Sequence, residues 1–218
     1  MNKIRFLIIP FIVVFNSCDK KAENKNESIK TEKISERNLP KEIKFEGKLK
    51  ELNKLNDLDG EHIILLTETG EIPSKKIINQ EDETDYNIFA YDYLLDKTDN
   101  KYKLNWRTQD FETNCEFDLI MGFLKNTFKI TDLNKNGKSE IWTMYQKTCV
   151  SDVSPIEMKI IMHEGKTKFA LRGNSIVNPG NGKIGGEFKF DKNFENAPSE
   201  FKEYALKMWK ENNVQKYE

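Results

Sequence analysis

From Glu61 to Asp191 the chain alternates between short apolar runs and polar connections. The runs are HIILLTETG (62–70), YNIFAYDYLL (86–95), YKLNWRTQDF (102–111), FKITDL (128–133), EIWTMYQKTC (140–149), IEMKIIMHEG (156–165), TKFALRGNSIV (167–177) and GEFKFD (186–191). They favour Ile, Phe, Tyr, Trp and Thr, and some place apolar residues two apart, as at Tyr102, Leu104 and Trp106. A half-buried strand has that period because successive side chains point to opposite faces of a sheet. The connections DKTDNK, HEGKTK and NPGNGKIGG carry the Asn, Asp and Gly that hairpin turns require. DLIMGFLKN (118–126) fits either a strand or two helical turns. The pattern predicts a mainly β domain of antiparallel meanders, built as a sandwich, a barrel or a propeller-like sheet.

The C-terminus follows a different period. After NFENAPSE, residues Phe201, Tyr204, Ala205, Met208 and Trp209 recur at helical spacing, which predicts one amphipathic helix over about 197–212, packed on the sheet. One short echo runs through the chain. DLDGEHIILL (57–66) and DLNKNGKSEIW (132–142) share an order of acids, Gly, Glu and then an apolar strand, which hints at a duplicated hairpin unit.

The N-terminus changes the picture from fold to address. In MNKIRFLIIPFIVVFNSC, basic Lys3 and Arg5 precede an apolar stretch from Ile4 to Phe15, and small Ser17 precedes Cys18. An apolar run of about twelve residues is too short to span a bilayer and has the layout of a secretory signal. Its end resembles a bacterial lipoprotein signal, with Phe15 where leucine is usual, so residues 1–17 are expected to be a signal peptide and Cys18 the lipidated residue, carrying acyl chains such as palmitate. Lipidation of Cys18 leaves Cys115 and Cys149 as an even pair in an oxidising compartment, expected to form a disulfide, the alternative being two buried free thiols. Residues 18–42 hold few apolar side chains (Ala22, Ile29, Ile34 and Leu39) and read as a disordered tether, with 43–218 as a single β-rich domain. A lipid anchor of two or three chains would hold the protein at the outer membrane, and the charged residues DKKAENKNE after Cys18 leave the side of that membrane open. The net charge of −1, with acids and lysines interspersed and few arginines, gives no field for nucleic acid.

Candidate chemistry is sparse. In DLNKNGKSEIW, Asp132, Asn134 and Asn136 alternate before Gly137, followed by Lys138 (through its carbonyl) and Glu140, in the order that a DxDxDG calcium loop uses for its oxygen donors. Thr143 stands where an EF-hand has its bidentate Glu, and the flanks read as strands, which excludes an EF-hand. The stretch resembles the strand–loop–strand calcium turns of FG-GAP-type propeller repeats, which would make Ca²⁺ the cofactor. The competing reading is a polar turn in which Asn and Asp cap their own backbone. Gly180, Gly182 and Gly185 satisfy GxGxxG but precede a strand, so they form a hairpin loop and not a dinucleotide site. His62 and His163 stand alone in their strands and read as core histidines. Trp106, Arg107, Trp142 and Tyr145 combine flat aromatic faces with polar groups and are candidates for sugar contact, against the plainer reading that strand tryptophans fill core. Asp92, Asp110 and Asp118, within or beside apolar runs, are the acids that a carboxylate hydrolase would draw on.

The segments KTCVSDVSP (147–155), IIMHEGKTKFALRG (160–173) and FKFD (188–191), taken with DLNKNGKSEIW, resemble a family of small Bacteroidota lipoproteins catalogued under surface polysaccharide biosynthesis, over residues 55 to 211. The resemblance carries over no catalytic residues and implies association with envelope or polysaccharide. The expected function is therefore a non-enzymatic binding or scaffold lipoprotein, with a surface glycan or another envelope protein as partner. An envelope glycan hydrolase using paired carboxylates, and a protein inhibitor or assembly partner, are the alternatives.

Overall fold

A computed structural model describes residues 29–75, 83–180 and 182–215. The segment of the signal peptide and Cys18 lies outside the described residues. Two six-stranded antiparallel sheets, neither of them closed, form a sandwich. The first contains β1 (Lys30–Lys33), β2 (Lys48–Asn56), β3 (Glu61–Glu68), β4 (Ile72–Pro73), β5 (Thr84–Asp96) and β6 (Lys101–Cys115), in the order β1-β2-β3-β5, with β6 on β5 and β4 pairing the start of β5. The second contains β7 (Asp118–Phe123), β8 (Lys129–Thr131), β9 (Glu140–Val150), β10 (Glu157–Glu164), β11 (Thr167–Asn174) and β14 (Phe188–Phe190), ordered β14-β11-β10-β9-β7, with β8 on the other half of β9. Between β11 and β14 in the chain, β12 (Ile176–Val177) pairs with β13 (Ile184–Gly185), and α1 (Lys192–Glu195) and α2 (Ser199–Asn212) follow β14. The ambiguous 118–126 stretch resolves as strand over its first six residues.

Period-2 patterning explains the layers. On β3, Ile64 and Leu66 face the second sheet with Leu55, Ala90, Trp106 and Ile141, while Ile63 and Leu65 face outward with Phe89, Tyr91 and Tyr93. On β9, Trp142 and Met144 face away from the first sheet, against Phe194, Phe201, Ala205, Met208 and Trp209 of the helices. Both strands are buried on two faces, so their sequences read as nearly continuous apolar runs. The helical stripe thus packs on the sheet as expected.

The other outer face shows where the sequence reading needs correction. Residues 29–42 were expected to be tether, yet Lys30–Lys33 pairs with β2, and Ile29, Ile34 and Leu39 pack against the core. Ile43, Phe45 and Leu49 continue this cover over Tyr91 and Tyr93. Backbone groups fasten it: Glu46 N–H donates to the Tyr91 hydroxyl at 3.1 Å, and the Glu46 carbonyl accepts from Thr67 Oγ1 at 2.5 Å. Three apolar residues among many charges suffice because a preformed apolar face receives them. β2 also lay outside the expected strands. Leu49, Leu52 and Leu55 are three apart, a helical spacing, but a bulge at Lys50 puts Leu49 and Leu52 on the outer face, while Leu55 faces inward.

A disulfide joins Cys115 at the end of β6 to Cys149 on β9, with a Cα–Cα distance of 5.7 Å. It crosses from one sheet to the other.

Candidate functional site

The two echoed loops dock onto each other. Each leads into an interior strand, 57–60 into β3 and 132–139 into β9, so the sandwich brings them to the same end. Leu58 N–H donates to the Gly137 carbonyl at 2.8 Å, and Lys138 Nζ lies 2.8 Å from Asp59. Gly137 supplies the turn at φ 80°, where a side chain would be strained.

Asp57 is the hub of the first loop. Its Oδ1 accepts from Asp59 N–H at 2.8 Å, and its Oδ2 accepts from the Ser139 amide at 2.9 Å and the Ser139 hydroxyl at 2.7 Å. His62 Nε2 lies 3.2 Å from Asp57 Oδ1, and His62 Nδ1 lies 2.9 Å from Asp92 Oδ1, with these three side chains only 2–4% exposed. Asn105 Nδ2 completes the chain by donating to Asp92 Oδ2 at 2.7 Å. Burial alone would push the imidazole toward neutrality, but the bonds to Asp57 and Asp92 outweigh it and raise its pKa to about 9. Burial likewise works against the Asp57 anion, and the His62 and Ser139 donors overcome it, holding its carboxyl well below the usual range. The cluster is a charged imidazolium between two carboxylates, closed to solvent. Ser139 donates its proton to a carboxylate and has no base to activate it.

The second loop has the outline of a calcium loop with different wiring. Asp132 Oδ2 accepts from Gly137 N–H at 3.1 Å, and the Asp132 Oδ1 atom is buried without a hydrogen-bond partner among the described residues. Asn134 Oδ1 accepts from Asn136 N–H at 3.1 Å, and Asn136 Oδ1 accepts from Lys138 N–H at 2.8 Å. Those bonds turn both Nδ2 groups toward Glu164, which accepts them at 2.8 and 2.7 Å on the same oxygen. Glu140 is fully buried, with both oxygens within 3.0 Å of Leu133 N–H and one accepting from Thr131 Oγ1 at 2.6 Å. Burial raises its pKa. A calcium cage needs oxygens converging on one point. Here Asp132 offers one free oxygen among the described residues, the two amides present N–H groups to Glu164, and the ninth-position acid is committed to backbone. The side-chain donors therefore do not fit calcium in this arrangement, and the geometry is that of the polar turn. Among the described residues no group of three His, Cys, Asp or Glu side chains is placed to hold a metal.

The sugar-contact candidates divide sharply. Trp142 is fully buried against Phe194, Phe201 and Tyr204, with its indole N–H on Thr131 Oγ1 at 2.8 Å. Trp106 stacks between the sheets on His163, with ring centroids 3.9 Å apart. Burial lowers the His163 pKa to about 3, so this imidazole is neutral, with Nε2 2.9 Å from Thr108 Oγ1. Tyr145 is buried and donates to Asp110 at 2.7 Å. Of the four, only Arg107 faces solvent, lying 4.9 Å over the Phe89 ring and 2.8 Å from Glu46. Neither tryptophan offers a face to a sugar, because both side chains are themselves buried.

The hydrolase acids are also occupied. Asp92 belongs to the His62 cluster. Asp110 accepts from Tyr145 and lies 2.6 Å from Lys159 and 3.4 Å from Lys147. Burial opposes its charge, but the Lys159 and Tyr145 bonds lower its pKa. Asp118 is exposed at the start of β7. Sequence reasoning singled out neither Asp57 nor Glu164 as site residues. The echo of DLDG in DLNKNG was the one signal that could have found Asp57, while Glu164 has no local signature. Comparison with family models, with curated proteins and with solved structures gave no match for this chain.

Proposed function

We propose that the chain is a cell-envelope lipoprotein, anchored at the outer membrane through Cys18, whose β-sandwich is a non-enzymatic binding or scaffold domain associated with surface polysaccharide. The observation that carries the non-enzymatic part is the state of the buried acids. A glycan hydrolase needs an acid of raised pKa in a cleft facing a second carboxylate. Glu140, a buried acid with a raised pKa, is sealed and bonded to backbone, and Asp57, Asp92 and Asp110 are each bonded to cationic partners. These groups join loops and sheets, as a scaffold requires. The lipoprotein part rests on the leader pattern ending Phe15-Asn16-Ser17-Cys18. Because residues from Ile29 onward belong to the fold, the expected tether of residues 18–42 is shorter than the sequence alone implied.

The test is expression of the full chain in a Bacteroidota host fed labelled palmitate. Wild type should take up label, sediment with outer membrane and co-isolate with surface polysaccharide. Cys18→Ala should lose label and membrane retention. Unchanged labelling of Cys18→Ala defeats the anchor, and wild-type membranes from which the protein is recovered free of polysaccharide defeat the polysaccharide association.

A further inference from the structure

The second sheet extends further sideways than the first. Asp110 on edge strand β6 reaches Lys159 on β10, and Ala170 on β11 is still buried in the core shared between the sheets. Beyond that line the same face of β11 and β14 carries Lys168, Arg172 and Lys189, all exposed. Their register is unusual. Lys159 stands directly opposite Arg172, and Arg172 directly opposite Lys189, so three cations form one row across neighbouring strands. Like charges directly opposite each other on an antiparallel ladder are destabilising. Lys159 is neutralised by Asp110 and by Glu157 at 2.8 Å, but neither Arg172 nor Lys189 makes an ion pair among the described residues.

Beside the row lies a groove of about 510 Å³ lined by Arg172, Lys189, Phe190, Asp191, Lys192 and Glu195. Asp191 is turned to the backbone, its two oxygens accepting from the N–H groups of Ala170 at 3.0 Å and Phe194 at 2.9 Å, and it makes no ion pair with Arg172, Lys189 or Lys192 among the described residues. With Glu195, exposed at the end of α1, the groove sets two carboxylates against three cations and keeps a positive excess.

We propose that this overhang, centred on Arg172 and Lys189, is the surface that holds polysaccharide, and that its ligand is a carboxylate-bearing glycan. The proposal rests on the polysaccharide reading above and names the charge class of its ligand. Strands lie about 4.8 Å apart, so the row offers positive charge at closely spaced intervals to a polyanion crossing them. A string of carboxylates relieves the repulsion that the row carries when bare, and the guanidinium of Arg172 suits bidentate pairing with a carboxylate.

The experiment measures binding of the full chain in detergent to polygalacturonate, with neutral dextran and phosphatidylglycerol vesicles as parallel probes. Polygalacturonate should bind and weaken steeply as salt is raised, because an exposed site is screened. Arg172→Glu should weaken binding by about tenfold or more, yet melt no lower than wild type, since it converts two repulsive cross-strand pairs into attractive ones. Lys189→Gln, on an exposed edge strand, gives an independent loss of smaller size. Equal polygalacturonate binding by wild type and Arg172→Glu overturns the assignment. Salt-insensitive binding of dextran, or co-isolation of native polysaccharide without polygalacturonate binding, keeps the polysaccharide reading and overturns the acidic-ligand inference. Arg172-dependent binding of the vesicles without polygalacturonate makes the row a membrane contact and overturns it equally.

Discussion

Asn134 and Asn136 each perform two tasks, capping the turn through Oδ1 and donating to Glu164 through Nδ2. Replacing both with Asp keeps the caps, removes the donors and brings three carboxylates into proximity with Asp132 nearby. We expect the Asn134→Asp/Asn136→Asp protein to melt below wild type in chelator and to recover in millimolar calcium, since a cation then supplies the missing positive charge. Wild type should show little shift, and a large calcium-dependent rise in wild-type melting temperature would refute the wiring described for this loop. His62 gives a second residue-scale expectation. Its pKa is raised to about 9 in the fold from 6.5, so folding favours the protonated form. That stabilisation is full below pH 6.5, declines as pH rises and is gone above about 9, with a size on the order of 3 kcal/mol. Urea unfolding between pH 6 and 10 should show the decline in wild type and a flatter profile in His62→Gln. An unchanged slope in the variant would assign the alkaline loss to other groups.

At the scale of elements, β3, β5, β6 and β8 to β11 were legible because apolar runs and Asn/Gly turns agree, whereas β7 read equally as helix and the two-residue β4 lay outside every apolar run. The C-terminal helix was legible because Phe201, Ala205, Met208 and Trp209 keep one face. β1 and β2 were not, for two different physical reasons. The bulge at Lys50 shifts the leucine period of β2, and β1 is a fully exposed edge strand, held by ladder hydrogen bonds that any sequence can make. The site was half legible. The DLNKNGKSE turn was visible, but whether its amides faced a cation or a carboxylate depended on Glu164, placed there by the register of β10 against β9. The cover formed by residues 29–49 leads to a sharp expectation. Removing residues 1–42 should destabilise the fold by roughly 2–4 kcal/mol, because Ile34 and Leu39 no longer shield Tyr91, Tyr93 and Leu65. A tether would come off silently, and unchanged denaturant midpoints after the truncation would restore that reading.

Across the whole molecule, the two sheets are fastened by polar contacts as well as by their shared core. Asp57 bonds Ser139, Asp110 bonds Tyr145 and Lys159, and buried Glu68 accepts the Phe123 amide at 2.7 Å while Lys50 pairs with its other oxygen at 3.0 Å. Gly122 makes room for that Glu68 carboxylate, which lies 3.0 Å from where a Cβ would stand. Such contacts lose their partners together if the sheets separate, so unfolding should be a single transition in which neither sheet outlasts the other. The Cys115–Cys149 bond spans this same division, with a sequence separation of 34. Reducing it, or making Cys115→Ser/Cys149→Ser, should lower stability by about 3–4 kcal/mol through the greater entropy of the open unfolded chain. The transition should nevertheless stay single, because the polar contacts and the shared core remain. Calorimetry of the oxidised and reduced protein checks both points. Two resolved transitions after reduction would mean that the disulfide alone unites the sheets, and the sandwich would then be two units joined by a covalent tie.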